Sequence, residues 1–267
     1  MNKKVLLTGI SGYIGNHCAV ELLKNGYSVR GSLRNISKSA KIINTIKKEV
    51  DPKNRLEFCE LNLLDDKGWD DAVKGCDFVM HVASPFINIE PKDENEYIRP
   101  AVDGTMRALN AAKSAGIKRV VLTSSMVSML GSADKSIDVD AETWTNVKGK
   151  NVSAYAKSKT LAEQAAWDFI NAQRDDTKME LAVVNPGPVF GPSLSGDLTG
   201  TSMSMFSQMM KGKMPMVPQA SINMSDVRDI AKIHVLALEN TEASGKRFIV
   251  TTEKPYAFQD VAKILKS

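Results

Sequence analysis

A tyrosine and a lysine four residues apart, with serines upstream, can together move a proton. In "NVSAYAKSKTLAEQAAW", residues 151–167, Tyr155 and Lys159 stand at i and i+4, which puts them on one face of a helix. A free phenol titrates near a pKa of about 10 and is a poor acid–base group at neutral pH. A neighbouring ammonium stabilises the phenolate and draws that value down. Upstream, "VVLTSSMVS" ends a strand-like run with Ser124 and Ser125, and a serine hydroxyl there can hydrogen-bond a carbonyl oxygen and orient it. Given a hydride donor, the set is complete for carbonyl reduction. Tyr-x-x-x-Lys on its own recurs by chance, so the surrounding elements must decide whether the pair has a task.

The first such element is "TGISGYIG", with Gly9, Gly12 and Gly15 spaced G-x-x-G-x-x-G between an apolar run at 3–8 and a helical pattern at 13–26. Gly9 suits a tight turn, Gly12 a close approach of pyrophosphate to the backbone, and Gly15 close packing of helix on sheet. Tyr13 and Ile14 open the helix, whose free N–H groups attract phosphate. The loop therefore predicts a dinucleotide. After the second strand, "VRGSLRN" lacks the acid that holds the ribose 2′-hydroxyl of NAD. Arg34, with Ser32, suits a 2′-phosphate instead, because guanidinium and phosphate pair in bidentate geometry. Arg30 shares their face of a straight strand. NADP(H) is favoured over NAD(H).

These residues need a scaffold that brings them to one edge. Strand-like runs at 3–8, 27–34, 56–62, 76–83, 118–125 and 179–186 alternate with helical patterns at 13–26, 37–50, 68–75, 93–116 and 153–173; a kink is expected at Pro100. Strict β-α alternation with short, nearly all-apolar strands predicts an α/β fold. Its form is a Rossmann-type, doubly wound parallel sheet with a small C-terminal substrate lobe. From about residue 187 the chain becomes rich in Gly, Pro, Ser and Met, as expected of an excursion off the sheet. An amphipathic helix follows at 226–240, then a strand at 246–251 and a helix at 258–266. We expect a dinucleotide-binding domain of residues 1–186 plus helix 226–240, with 187–225 and 241–267 forming the lobe. The Met-rich stretch 201–216 suits either a pliable apolar lid or an ordinary packing helix.

Composition narrows the function classes. Hydrophobic residues at 43% and charged residues at 25% fit a globular protein with a sizeable core. The net charge of +4 comes without a basic run, so nucleic acid is not an expected partner. No apolar run approaches the roughly 20 residues of a membrane span. His17, His81 and His234 lack ligand spacing, so no metal is expected. Cys18, Cys59 and Cys76 form no C-x-x-C, which suits buried thiols in a reducing compartment, the cytoplasm.

With these stretches in view, the chain resembles the extended short-chain dehydrogenase/reductases. Within them it resembles the dihydroflavonol-4-reductase/cinnamoyl-CoA reductase-like branch, which also contains microbial aldehyde and ketone reductases. "TGISGYIG", "VRGSLRN", "HVASPF", "VDGTMRALNAAKSAGIKRVVLTSS", "YAKSKTLAEQAAW", "NPGPVFGP" and "DVRDIAKIHVLALE" carry the resemblance over most of the chain. It implies Ser125, Tyr155 and Lys159 as the catalytic set, with Lys159 also holding the nicotinamide ribose. It places Asn62 and Leu63 at the adenine and Val82 and Ala83 at the nicotinamide-side ribose. Pro186 to Val189, Gly187 among them, would meet the carboxamide. Ser84 and Thr123 complete the expected cofactor contacts.

The sequence departs from that branch in three places. Asn62 stands where Asp is common, Met126 follows Ser125 where a small residue is common, and the chain ends at Ser267, earlier than the resemblance implies. The lobe is accordingly expected to be minimal or cut short. The function implied is NADPH-dependent reduction of an aldehyde or ketone by a monomer or homodimer. The alternatives are an NAD-dependent nucleotide-sugar epimerase or dehydratase and a non-catalytic dinucleotide sensor. Phe86 is a candidate for substrate contact.

Overall fold

The computed structural model describes residues 3–85, 91–131, 138–174, 178–198, 200–214 and 216–266; Phe86 lies outside them. The chain opens with β1 (Lys4–Thr8), α1 (Tyr13–Lys24), β2 (Ser28–Leu33) and α2 (Ser39–Lys47), the last entered through a 3₁₀ turn at Ile36–Lys38. Next come β3 (Leu56–Glu60), α3 (Trp69–Val73), β4 (Phe78–His81), α4 (Asn95–Ser114), β5 (Arg119–Thr123), α5 (Val127–Leu130) and α6 (Ala154–Asn171). β6 (Glu180–Pro186), β7 (Val189–Phe190), α7 (Thr201–Met210), β8 (Ser221–Ile222), β9 (Ser225–Asp226) and α8 (Val227–Glu239) follow. The described chain finishes with β10 (Lys246–Val250), β11 (Tyr256–Ala257) and α9 (Phe258–Lys266).

Seven strands make one sheet in the order β10-β6-β5-β4-β1-β2-β3, and every pairing in it is parallel. The strands are apolar because both faces are covered. In β1 the period-two alternation sends Val5 and Leu7 into the core under α1 and α8, with Leu22, Leu23 and Ile230. It sends Leu6 into the opposite core, with Leu109, Val120 and Leu181. Gly31 of β2 is part of this packing. A Cβ there would come within 2.4 Å of the Ile10 side chain, so only glycine leaves Ile10 its place.

Sequence order reverses between β1, which leads outward through β2 and β3, and β4, which leads the other way. The crevice beyond the strand ends at that switch is where this architecture takes a dinucleotide.

One expectation changes. β10, which the sequence reading put with the small lobe, pairs with β6 along Lys246–Val250 and forms an edge of the main sheet. α4 runs on through Pro100 from Asn95 to Ser114. The excursion off the sheet consists of α7 and two small strand pairs, β7 with β9 and β8 with β11. Stacking of Phe190 on Phe206, 4.0 Å between ring centroids, ties α7 to β7. Among the described residues no helix is long and apolar enough to cross a membrane.

Candidate active site

The cradle begins where β1 stops. Gly9 has φ +73°, a conformation that L side chains rarely adopt, and a Cβ there would lie 2.8 Å from Ala83 Cα. Gly15 is as constrained by space alone: its Cβ would fall 2.1 Å from the Gly9 carbonyl oxygen. At Gly12 the N–H donates to Gly9 O at 2.9 Å. Gly12 also caps α1 with no side-chain hydrogen bond, and the first turn holds no acid. The helix therefore presents free N–H groups and the positive end of its dipole. This is a fit for a pyrophosphate, argued from backbone space and charge.

A cleft of about 2400 Å³ runs from this loop along the sheet edge. Its walls include Gly9, Gly12, Tyr13, Ile14, Gly15, Ser32, Arg34, Asn62, Leu63, Val82, Ala83, Ser84, Ser125, Tyr155, Pro186, Gly187 and Val189, so most of the residues singled out by sequence share one space. Among the described residues Arg34 is the only cation lining it, and it is exposed and without a protein partner. Arg30, by contrast, is committed elsewhere. Its guanidinium pairs with Glu57 at 2.7 Å and donates to the carbonyls of Ala72 and Lys74 at 2.8 and 2.7 Å. Ser32 is buried, and its hydroxyl accepts from the Gly9 N–H at 3.2 Å, so it also braces the loop. Asn62 turns its side-chain oxygen onto the Leu64 N–H at 3.1 Å, leaving its NH₂ group to the cleft.

Thr123 does not join the cleft. Its hydroxyl points into the core onto His234 Nε2 at 2.6 Å. His234 Nδ1 meets the Ile230 carbonyl at 2.8 Å, so Nδ1 carries the proton and Nε2 accepts from Thr123. Burial pushes His234 down to about 4, which keeps it neutral.

At the other end of the cleft Tyr155 and Ser125 line the same wall. Burial raises the phenol's pKa, with Ser125 opposing and Tyr97 adding to the rise. The sequence reading expected Lys159 to draw the phenol down. Desolvation wins instead, because the Lys159 ammonium stands 6.0 Å from the ring centroid, over its face. Lys159 is buried behind the cleft wall rather than on it, and burial lowers its pKa to about 8 while Glu163 works against that.

Two further groups escaped the sequence reading. Tyr97, buried on α4, packs edge-to-face on Tyr155 with 6.2 Å between centroids; nothing in its surroundings in the sequence marks it. Glu163 is fully buried one helical turn beyond Lys159. The 155–159–163 spacing carried that signal, and only its first two members were read. Glu163 pairs with Arg247, Nε to Oε1, at 2.6 Å. Breaking a buried pair of this kind from one side costs on the order of 3–5 kcal/mol. Among the described residues no cluster of three metal-ligating side chains occurs.

The chain is similar to known proteins in sequence and in fold. A sequence model described as the NAD dependent epimerase/dehydratase family matches residues 5–251. Cinnamoyl-CoA reductase CAD2 of Medicago truncatula is 36% identical, over 98% of this chain and 79% of that protein. NADPH-dependent methylglyoxal reductase GRE2 of Saccharomyces cerevisiae is 33% identical, over 98% of this chain and 81% of that protein. The crystal structure of yeast methylglyoxal/isovaleraldehyde reductase Gre2 complexed with NADPH superposes with a TM-score of 0.87 at 31% identity. That superposition covers 99% of this chain and 82% of that one.

Proposed function

The chain belongs to the NAD dependent epimerase/dehydratase family, and from that premise we propose that it reduces an aldehyde or ketone to an alcohol with NADPH. Its similarity to NADPH-dependent reductases supports the direction and the cofactor. The observation that carries the reading is that Ser125 and Tyr155 share the cleft wall, with the Lys159 ammonium buried 6.0 Å from the phenol ring centroid.

The glycine loop and the start of α1 would hold the pyrophosphate, Arg34 the 2′-phosphate, and Pro186 to Val189 the nicotinamide end. When bound, NADPH supplies the hydride that forms the new C–H bond at the carbonyl carbon. Ser125 orients the carbonyl oxygen. Tyr155, whose raised pKa keeps its proton in place, gives that proton to the oxygen as negative charge develops there. Lys159 stabilises the phenolate left behind and would reach the ribose hydroxyls. One hydride and one proton enter; an alcohol and the oxidised cofactor leave. The scarcity of cations around the cleft speaks against a nucleoside diphosphate as substrate. The free cysteines support a reducing, cytoplasmic setting.

A panel of aldehydes and ketones tests this, followed at the nicotinamide absorbance with NADPH and with NADH, beside a nucleotide-sugar control. We expect turnover of at least one simple carbonyl compound with NADPH. Conversion of the nucleotide sugar alone would overturn the reading.

A further inference from the structure

We propose that Glu163, anchored by Arg247, is a positioning residue for the reduction: it locks the strand end presenting Ser125 to the helix presenting Tyr155 and Lys159. The inference rests on the reductase reading above. Tyr155, Lys159 and Glu163 follow one another at intervals of four along α6, so they form one ladder on one face.

Tyr155 lines the cleft, Lys159 is buried behind it, and Glu163 faces inward with no exposure at all. There its Oε2 gathers the neighbours of Ser125. It accepts from Ser124 Oγ at 2.5 Å and from Asn185 Nδ2 at 2.9 Å, and it lies 2.7 Å from Ser128 Oγ. Ser128 Oγ is also 2.8 Å from the Ser125 carbonyl. Its single proton serves one of the two acceptors at a time, and Arg247 donates to it at 3.1 Å. Ser125 is thus held through the residue before it, whose hydroxyl donates to the carboxylate, and through its own carbonyl, which Asn185 Nδ2 reaches at 3.4 Å while also donating to Glu163.

A carboxylate without exposure needs a matching cation, and the anchor is built to supply it. Arg247 gives Nε to Glu163 Oε1 at 2.6 Å and Nη1 to the carbonyls of Ala141 and Thr143 at 2.7 and 2.8 Å. It also stacks its guanidinium 3.8 Å from the Trp144 ring centroid. The fork is held on four sides, so its position on β10 is fixed by the sheet, and through it the position of Glu163. A carboxylate buried only to fill space would still need Arg247; its contacts to Ser124, Ser128 and Asn185, around Ser125, are what point to positioning. Holding Ser125 in place beside Tyr155 matters because misplacing a reacting group by about 1 Å can cost on the order of a hundredfold in rate.

The test uses the full chain with whichever carbonyl compound the panel identifies. Glu163→Gln keeps the shape and an acceptor but removes the charge; Ser124→Ala removes one donor and leaves the ion pair intact. We expect kcat to fall at least tenfold in Glu163→Gln and severalfold in Ser124→Ala. NADPH affinity by fluorescence titration and KM for the carbonyl compound should stay within threefold, and Glu163→Asp should recover part of the loss. Variants that turn over within twofold of the unaltered chain would overturn the proposal, as would a kcat loss matched by an equal loss of NADPH affinity. Should Glu163→Gln fail to fold, Ser124→Ala decides by the same criteria. Absence of turnover in the unaltered chain would count against the reductase reading instead.

Discussion

The two walls of the cleft are built on different physical terms. The catalytic wall, from β5, β6 and α6, buries a charge pair and satisfies it from every side: Glu163 is met by Ser124, Asn185 and Arg247. The facing wall is α7 with the β8–β11 pair. None of the described side chains of α7 is fully buried, and Met203 and Met205, which line the cleft, are half-buried. The network on the catalytic wall is paired apart from the Asn185 Oδ1 atom and so holds its geometry, whereas half-buried methionines adapt to what they touch. On the proposed reading the chemistry is held by the rigid wall, and the choice of substrate falls to the adaptable one. Substitutions should have large effects on turnover on the first wall and small effects on KM on the second.

Tyr155→Phe should have the largest effect, since it removes the proton donor and leaves the ring. We expect kcat to fall by roughly 10²–10⁴-fold with NADPH affinity within threefold, measured by steady-state rates and fluorescence titration. Arg34→Ala comes next. Losing a charge-assisted contact to the 2′-phosphate should cut the preference for NADPH over NADH by about tenfold, read from kcat/KM with each cofactor. The smallest effect is expected on the adaptable wall, where Met205→Ala should change carbonyl KM by less than about threefold with kcat unchanged. A large kcat loss there would erase the contrast between the walls.

Much of the rigid wall was legible in the sequence because its signals are local. Doubly buried strands read as apolar runs, the glycine spacing sits between a strand and a helix, and Tyr155 and Lys159 are one turn apart. What escaped depends on contacts between distant parts of the chain. Arg30 and Arg34 look equivalent on paper, and only the fold gives Arg30 to Glu57 and the carbonyls after α3. Thr123 follows the same strand pattern as its neighbours, yet it is drawn inward by His234, 111 residues away. Arg247 lies 84 residues from Glu163. It was read with a peripheral lobe because nothing local shows that its strand returns to the sheet. The phenol's raised pKa was missed for a related reason: spacing shows that Lys159 is near, but not how much water the fold removes from Tyr155.

At the centre of the proposed reaction, hydride passes from NADPH to a carbonyl carbon beside Tyr155. This transfer is tested most directly by reduction with NADPH carrying deuterium at both C4 positions of the nicotinamide, with the alcohol analysed by mass spectrometry. We expect one deuterium on the carbinol carbon with the unaltered chain and almost no alcohol with Tyr155→Phe. Alcohol without deuterium, or equal product from the two proteins, would contradict the account.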